Sequence, residues 1–430
     1  MKEQKSYVFK KVVVRDPHSA WHNQKVDIQV EGGCITKIAP DLSGYDSSIE
    51  VLFNNESFSE VNVMPGWVDP HVEGGEPGFE ARETINSLSQ SAIHGGFTTL
   101  GLMPSLQPVT HTVEHFRSLQ QLSKDAAVRI IPHVAITDEN SGPTAVYEMR
   151  DAGAKLFTNG FDTYLEEGPM ITAMQYVKAA GIRIGCSTDI PSLRQDGLVY
   201  ETAFSARLGL PTIPNFAETY AVKRLLELHN YTSGMLHVLC LTSPTAIDLW
   251  QEAMDSGSVL SFSVGLPYLL YSEGCLRDFD SHFKISPPWQ DAATQKALCA
   301  KVMSKDFKGM ITSYHQPRSI EDKEVEFGYA ASGMATLDFG ITDWLTAIDH
   351  VDFDHLVNIL SRNARNVLAL EDAVIAEGNK ADFTFLALCS DTSSLQRNAR
   401  SIAYNIHQAS SAPSWYIPGV FVNAEYHSNG

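Results

Sequence analysis

The side chains best suited to metal or proton chemistry in this chain form a small set: His71, Glu73, Lys155, Cys186, Cys240 and the run Tyr314-His315-Gln316-Pro317-Arg318. Imidazole, carboxylate and thiolate all ligate zinc. A site built from His71, Glu73, Lys155, Cys186 and Cys240 would need these groups to meet around one ion at about 2.0–2.3 Å. Cys240 is the strongest reason to consider it, because thiolate is a good zinc ligand. Each residue also has a plainer reading. A lone His71 at a strand end is an imidazole hydrogen-bonded in a pocket, since a catalytic zinc needs three protein ligands. Glu73 reads as a buried carboxylate paired with Arg318 or Lys155, and the pair is the favoured reading. The phenol of Tyr314 ordinarily titrates near about 10, which makes it a poor base at neutral pH and more simply a ring that fills volume. His133 and His237 read as core histidines, and His94 as a cation at a helix end. Met174 and Tyr176 read as helical packing.

These residues matter only through the elements that carry them. His71 ends a candidate strand from Val63, entered at Met64-Pro65-Gly66. Beyond it, short apolar runs alternate with amphipathic stretches, the pattern of repeated βα units. Eight strands are expected: Val63 to His71, Thr98 to Met103, Val128 to Ile136, Ala154 to Phe157, Ile182 to Cys186, Met235 to Leu241, Val259 to Val264 and Met310 to Tyr314. Helices are expected at Thr112 to Ser123, Met170 to Ala180, Phe216 to His229, Pro244 to Met254 and Ala292 to Met303. Eight parallel strands with helices between them predict an α/β fold, a closed (β/α)8 barrel whose chemistry sits at the C-terminal strand ends. Ahead of it, Tyr7 to Val14 and Val26 to Val30, broken by Asp16-Pro17 and Gly32-Gly33, predict a small all-β unit. After a last helix near Leu356 to Leu368, the stretches Ala373 to Ala376, Gly378 to Leu386 and Tyr416 to Tyr426 return to β character and could complete one sheet with the N-terminal strands.

Composition narrows the function. A chain of 430 residues, 43% hydrophobic, can bury a large core. A formal charge of -19 argues against nucleic acid or anionic membrane as partners. No apolar run approaches the roughly 18 residues that span a bilayer, and no signal-peptide core follows Met1, so a cytoplasmic protein is expected. The cysteines Cys34, Cys186, Cys240, Cys275, Cys299 and Cys389 show no C-x-x-C spacing, so neither a disulfide framework nor a zinc knuckle is expected.

Several blocks in order resemble a dihydroorotase of the amidohydrolase superfamily. They are Pro65 to Glu80, Glu83-Thr84, His94 to Thr99, Met103-Pro104, Gly153-Ala154, Lys284 to Pro288, Glu321 to Phe327, Gly333 to Leu337, Asn363-Ala364-Arg365 and Glu377 to Asp382. The resemblance spans about residues 7 to 424. It implies a TIM-type barrel over 64–370 and a β-sandwich made from 1–63 and 371–430. It also implies a centre in which imidazoles and carboxylates hold zinc, metal-bound hydroxide is formed, and a strand-eight Asp moves the proton as carbamoyl-aspartate is cyclised.

This sequence departs from the family at those positions. The second His of strand one is Glu73, and the Arg that clamps the substrate carboxylate is Gly75. The amide after strand two is Ser105. The strand-five His falls in Ile184-Gly185-Cys186-Ser187, and the strand-six His is Cys240. The strand-eight general base is Tyr314, followed by His315 and Arg318. Lys155 resembles the carbamylated lysine of one branch, and Asn159 stands where another branch has Asp. Metal hydroxide, general base and carboxylate clamp are lost together while the fold blocks stay. The expectation is therefore a non-catalytic homologue without cofactor, acting as a structural or regulatory partner of aspartate carbamoyltransferase or of an active dihydroorotase, and homodimeric as is common in the family. Two alternatives are a cyclic-amide hydrolase with a rewired zinc site using Cys240, and a small-molecule binding protein using the emptied barrel mouth.

Overall fold

The computed structural model describes residues 5–45, 48–53, 59–137, 142, 144–161, 163–388, 398–407 and 413–429; Cys389 lies outside them. The N-terminal β-rich runs form β1 (Ser6–Val14), β2 (Lys25–Glu31), β3 (Cys34–Ala39), β4 (Glu50–Leu52) and β5 (Glu60–Pro65). After Gly66 the chain enters the barrel with β6 (Trp67–Val72), β7 (Phe97–Leu102), β8 (Arg129–Pro132), β9 (Leu156–Phe157) and β10 (Arg183–Cys186). A lobe carrying the short pair β11 (Val199–Tyr200) and β12 (Thr212–Ile213) follows. The barrel resumes with β13 (Leu236–Val238), β14 (Leu260–Gly265) and β15 (Met310–Thr312). The tail supplies β16 (Phe383–Leu388), β17 (Trp415–Val422) and β18 (Glu425–Ser428).

The candidate strand Val63 to His71 is thus two strands. β5 pairs with β1 and β16 in the terminal sheet, whereas β6 pairs with β7 in the barrel. Gly66 makes the crossing possible, because a Cβ there would collide with Asp382 and Thr98. The terminal sheet runs β18-β17-β16-β5-β1-β2-β3, with β4 on β1, so both ends of the chain build it. Its core gathers Tyr7, Phe9, Phe383, Phe385 and Phe421, all buried. Two expectations for the tail need correction. Residues 373–376 form no strand, and the run from Tyr416 to Tyr426 is a hairpin that turns at Asn423-Ala424, where both residues have positive φ.

In the barrel, β6-β7-β8 and β9-β10-β13-β14-β15 are parallel sets. A bridge between Val134 and Phe157 joins β8's extension to β9. Ring closure comes from Glu73 N–H donating to the His315 carbonyl at 2.9 Å. The expected helices are present as Val113–Leu122, Glu167–Ala180, Ala217–Thr232, Pro244–Asp255 and Ala292–Val302. Thr112 and Asp291 cap two of them by accepting backbone N–H bonds with their side chains. Met174 is buried as packing predicts, but Tyr176 is half exposed, its ring on the solvent face of its helix. No described helix is long and apolar enough to cross a membrane.

Candidate functional site

His71 sits near the end of β6, fully buried. Its Nε2 is hydrogen-bonded to Ser263 Oγ at 2.9 Å, Ser263 Oγ to His237 Nε2 at 3.0 Å, and His237 Nδ1 to Ser261 Oγ at 3.0 Å. The imidazoles are linked side to side through serines on β14. Burial, with the neighbouring His133 adding to it, pushes His71 down to about 3, so it is neutral at ordinary pH. His237 is likewise held well below the usual range, chiefly by burial.

Above His71 the mouth is packed with rings. Phe161 lies edge-on to His71 at 5.6 Å between centroids and to Tyr314 at 4.6 Å, and Tyr268 packs on Tyr314 at 5.7 Å. Tyr314 is buried, and its hydroxyl donates to the Ser286 carbonyl at 2.6 Å. It fills volume, as its residue type suggests. Glu73 is paired with Arg318, Nη1 to Oε2 at 2.6 Å, and the same guanidinium donates through Nε to the Ser332 carbonyl at 2.6 Å. Of the two cations weighed for Glu73, the structure brings Arg318.

The remaining candidates separate into those at the mouth and those away from it. Gly75 lies where the loop after β6 folds back so tightly that a Cβ would collide with the carbonyl oxygens of Phe79 and Glu83. No side chain fits there without rebuilding the loop. Ser105 is exposed, near Gly160. Asn159 Oδ1 accepts the Ile136 N–H at 2.7 Å and its Nδ2 donates to Thr137 Oγ1 at 3.0 Å, so the amide pins two loops together. His315 Nδ1 accepts the Leu337 N–H at 3.4 Å, and its Nε2 faces Glu83 at 3.4 Å. Lys155 needs correction as a pocket or metal residue. It immediately precedes β9, at the opposite end of the barrel from the mouth where His71 and Asn159 lie.

The candidate zinc donors are not gathered into one group among the described residues. Burial pushes the Cys186 thiol up to about 12 and the Cys240 thiol well above its usual value, with the Glu218 carboxylate adding to the latter. Both thiols are thus protonated at neutral pH in the metal-free chain, as buried core cysteines are. Glu73 is committed to Arg318 and His71 Nε2 to Ser263, Lys155 is elsewhere, and His71 Nδ1 is buried with no hydrogen-bond partner among the described residues. Among the described residues no three His, Cys, Asp or Glu side chains come together as a metal-holding group.

A cavity of about 290 Å³ opens beside this packed centre, between the loop after β10 and the Lys284–Pro288 segment, under the β11/β12 lobe. Asp189, Arg194, Tyr200, Glu218 and Lys284 line it. None was singled out for chemistry from the sequence. The available signal was Asp189 and Arg194 flanking Ile-Pro-Ser-Leu shortly after a barrel strand.

A family profile described as dihydro-orotase-like matches residues 61–243. The dihydroorotase of Staphylococcus epidermidis is 30% identical over 311 residues, 72% of this chain and 72% of its own. That of Anoxybacillus flavithermus is 29% identical over 377 residues, 85% of each chain. Among solved structures, the L-hydantoinase (dihydropyrimidinase) from Arthrobacter aurescens superimposes with a TM-score of 0.81 at 21% identity, covering 98% of this chain and 95% of its own. A D-hydantoinase from Thermus sp. gives 0.78 at 18% identity. These two likenesses are of fold, a TIM barrel joined to a β-sandwich.

Proposed function

Because this chain belongs to the dihydroorotase family of the amidohydrolase superfamily, we propose that it is a non-catalytic member, a structural or regulatory partner of a pyrimidine enzyme. The observation that carries this reading is the hydrogen bond from His71 Nε2 to Ser263, under the rings of Phe161 and Tyr314. The imidazole at the first ligand position is occupied by a serine, and the space over it is filled with apolar side chains. Family chemistry needs a metal-activated water, a general base and a clamp for the substrate carboxylate, each worth orders of magnitude in rate. The corresponding positions here are buried thiols, a phenol bonded to a carbonyl, and a glycine with no room for a side chain. The protein on this reading holds no catalytic zinc, and Cys240 is a core residue.

Resemblance to inactive members of the family makes aspartate carbamoyltransferase or an active dihydroorotase the partner. The test is metal analysis of the purified protein together with a carbamoyl-aspartate cyclisation assay and co-purification with each candidate. Expected are substoichiometric zinc, no turnover, and a complex that raises the partner's thermal stability. Stoichiometric zinc that is lost in Cys240→Ala, with turnover of a cyclic amide, would establish the rewired hydrolase instead.

A further inference from the structure

We infer that the outer face of the Ala217–Thr232 helix is the surface through which this chain binds a second copy of itself, the two helices lying antiparallel about a twofold axis near Leu225. The helix packs inward through Ala217, Ala221, Val222, Leu225 and Leu228, all buried. Its opposite face meets solvent in a single copy and would ordinarily be polar. Instead Phe216, which starts the helix, is 56% exposed, Tyr220 53% and Tyr231 73%. Every other described helix carries at most one exposed large hydrophobic side chain. These side chains take no part in the His71–Tyr314 centre, so the inference does not rest on how that centre is read.

Phe216, Tyr220, Lys223, Glu227 and Tyr231 follow one another at three- and four-residue intervals, which on an α-helix keeps them within about 80° of arc. Lys223 and Glu227 are exposed and stand mid-stripe, with aromatic rings on either side. No side-chain ion pair or hydrogen bond joins either to another described residue. Read from the other end, the stripe repeats itself with its two charges exchanged. An antiparallel second copy therefore sets Lys223 against the partner's Glu227, Glu227 against the partner's Lys223, and Tyr220 beside the partner's Tyr231. Each contact occurs twice, the condition for an isologous interface that closes at two copies. A parallel, in-register pairing would instead set Lys223 against Lys223 and Glu227 against Glu227.

Charge selects the occupant. The chain as a whole carries -19, so most of its surface repels a second copy. The stripe carries one cation and one anion and sums to zero. A strongly basic partner would be drawn to the acidic surface rather than to this neutral one. Size sets the strength. The stripe is about 24 Å long, and one helix face falls short of the ~800 Å² that each side of a standard interface contributes. The neighbouring helix Glu167–Ala180, tied to it by Lys178 Nζ donating to the Thr232 carbonyl at 3.0 Å, presents the half-exposed Tyr176 and widens the surface. The dimer expected is accordingly a reversible one.

The experiment is sedimentation velocity on the full chain over a micromolar dilution series. The wild type should show a reversible monomer–dimer equilibrium. Lys223→Glu sets Glu against Glu across the twofold axis, and Glu227→Lys sets Lys against Lys. Each should weaken dimerisation by about tenfold or more while keeping the wild-type circular dichroism spectrum. An equimolar mixture of the two variants should dimerise again, because both charge pairs of the mixed dimer are then of opposite sign. The double variant Lys223→Glu/Glu227→Lys should recover association for the same reason. Tyr231→Ser should weaken the dimer by about tenfold through the lost ring. Should one charge variant fail to fold, the double variant and Tyr231→Ser decide. The inference is overturned if the wild type stays monomeric throughout, if the folded variants keep the wild-type Kd, or if neither the mixture nor the double variant recovers association.

Discussion

The base of the barrel and its mouth both contain a buried carboxylate held by arginine, and they use it differently. At the base, Asp382 lies just before β16 and is bonded by Arg129 of β8 and by Arg365 Nη2 at 2.6 Å from the helix Asn363–Val367. Arg365 also donates to the Gly66 carbonyl at 3.1 Å. One carboxylate therefore ties the terminal sheet, the barrel and the last helix together. Burial alone would raise its pKa, but the two guanidinium groups outweigh that and hold it below the ordinary range. At the mouth, Glu73 and Arg318 join only the ends of the first and last strands, with both side chains retaining some exposure. The first pair is architecture. The second occupies ground where the family does chemistry, and its loss should cost the fold less.

That ordering can be broken directly. Asp382→Ala leaves two arginines with their shared anion removed, and a loss of about 3–5 kcal/mol is expected. Glu73→Ala should lose about 1–3 kcal/mol, as for a charged hydrogen bond. Urea denaturation of both variants measures the difference, and equal losses would mean that the mouth pair is as structural as the base pair. Gly75→Arg sharpens the same point. Restoring the family's clamp residue should destabilise the protein by about 1–3 kcal/mol through overpacking. It should also confer no binding of carbamoyl-aspartate by calorimetry; a stable variant that binds would show that the loop opens readily.

The mouth pair was more legible in the sequence than the base pair. Glu73 and Arg318 stand out as opposite charges near barrel strand ends. Gly66, Arg365 and Asp382 stood only within blocks of the family resemblance, because nothing local in a sequence says that distant residues such as Arg129, Arg365 and Asp382 meet. The eight strands followed from apolar runs that fall on the observed elements, although several runs overshoot them, as Val128 to Ile136 does β8 and Met235 to Leu241 does β13. At Val63 to His71 the apolar run continued through a change of sheet, and hydrophobicity alone carries no mark of which sheet a strand joins. Ala373 to Ala376 failed for the converse reason: the β-prone pair Val374-Ile375 found no ladder. Among mouth residues, the Glu73–Arg318 pair was foreseeable from charge. Lys155 was misplaced because a local resemblance to the carbamylated lysine of one branch does not say at which end of a short strand a residue falls.

A pH experiment extends the comparison into the barrel interior. His133, fully buried on the extension of β8, is bonded through Nε2 to the Pro70 carbonyl at 2.6 Å, and burial lowers it from 6.5 to about 4. The folded state keeps it neutral while the unfolded chain protonates it below 6.5, so its contribution is present above that pH and is lost as pH falls toward 4. The slope it adds approaches about 1.4 kcal/mol per pH unit within that window. Urea titrations at neutral and mildly acidic pH should show a flatter decline in His133→Asn. An unchanged slope would mean that His133 takes up a proton in the folded state.

The smallest expected effect is the most discriminating for the mouth. Tyr314→Phe keeps the ring that packs on Phe161 and Tyr268 and removes only the hydroxyl bonded to Ser286. If Tyr314 is there for its volume, the variant should lose about 1 kcal/mol, the usual net worth of one neutral hydrogen bond. Its melting curve should then shift only slightly. A loss larger than that of Glu73→Ala would mean that the phenol pins the Lys284–Pro288 segment and shapes the neighbouring cavity.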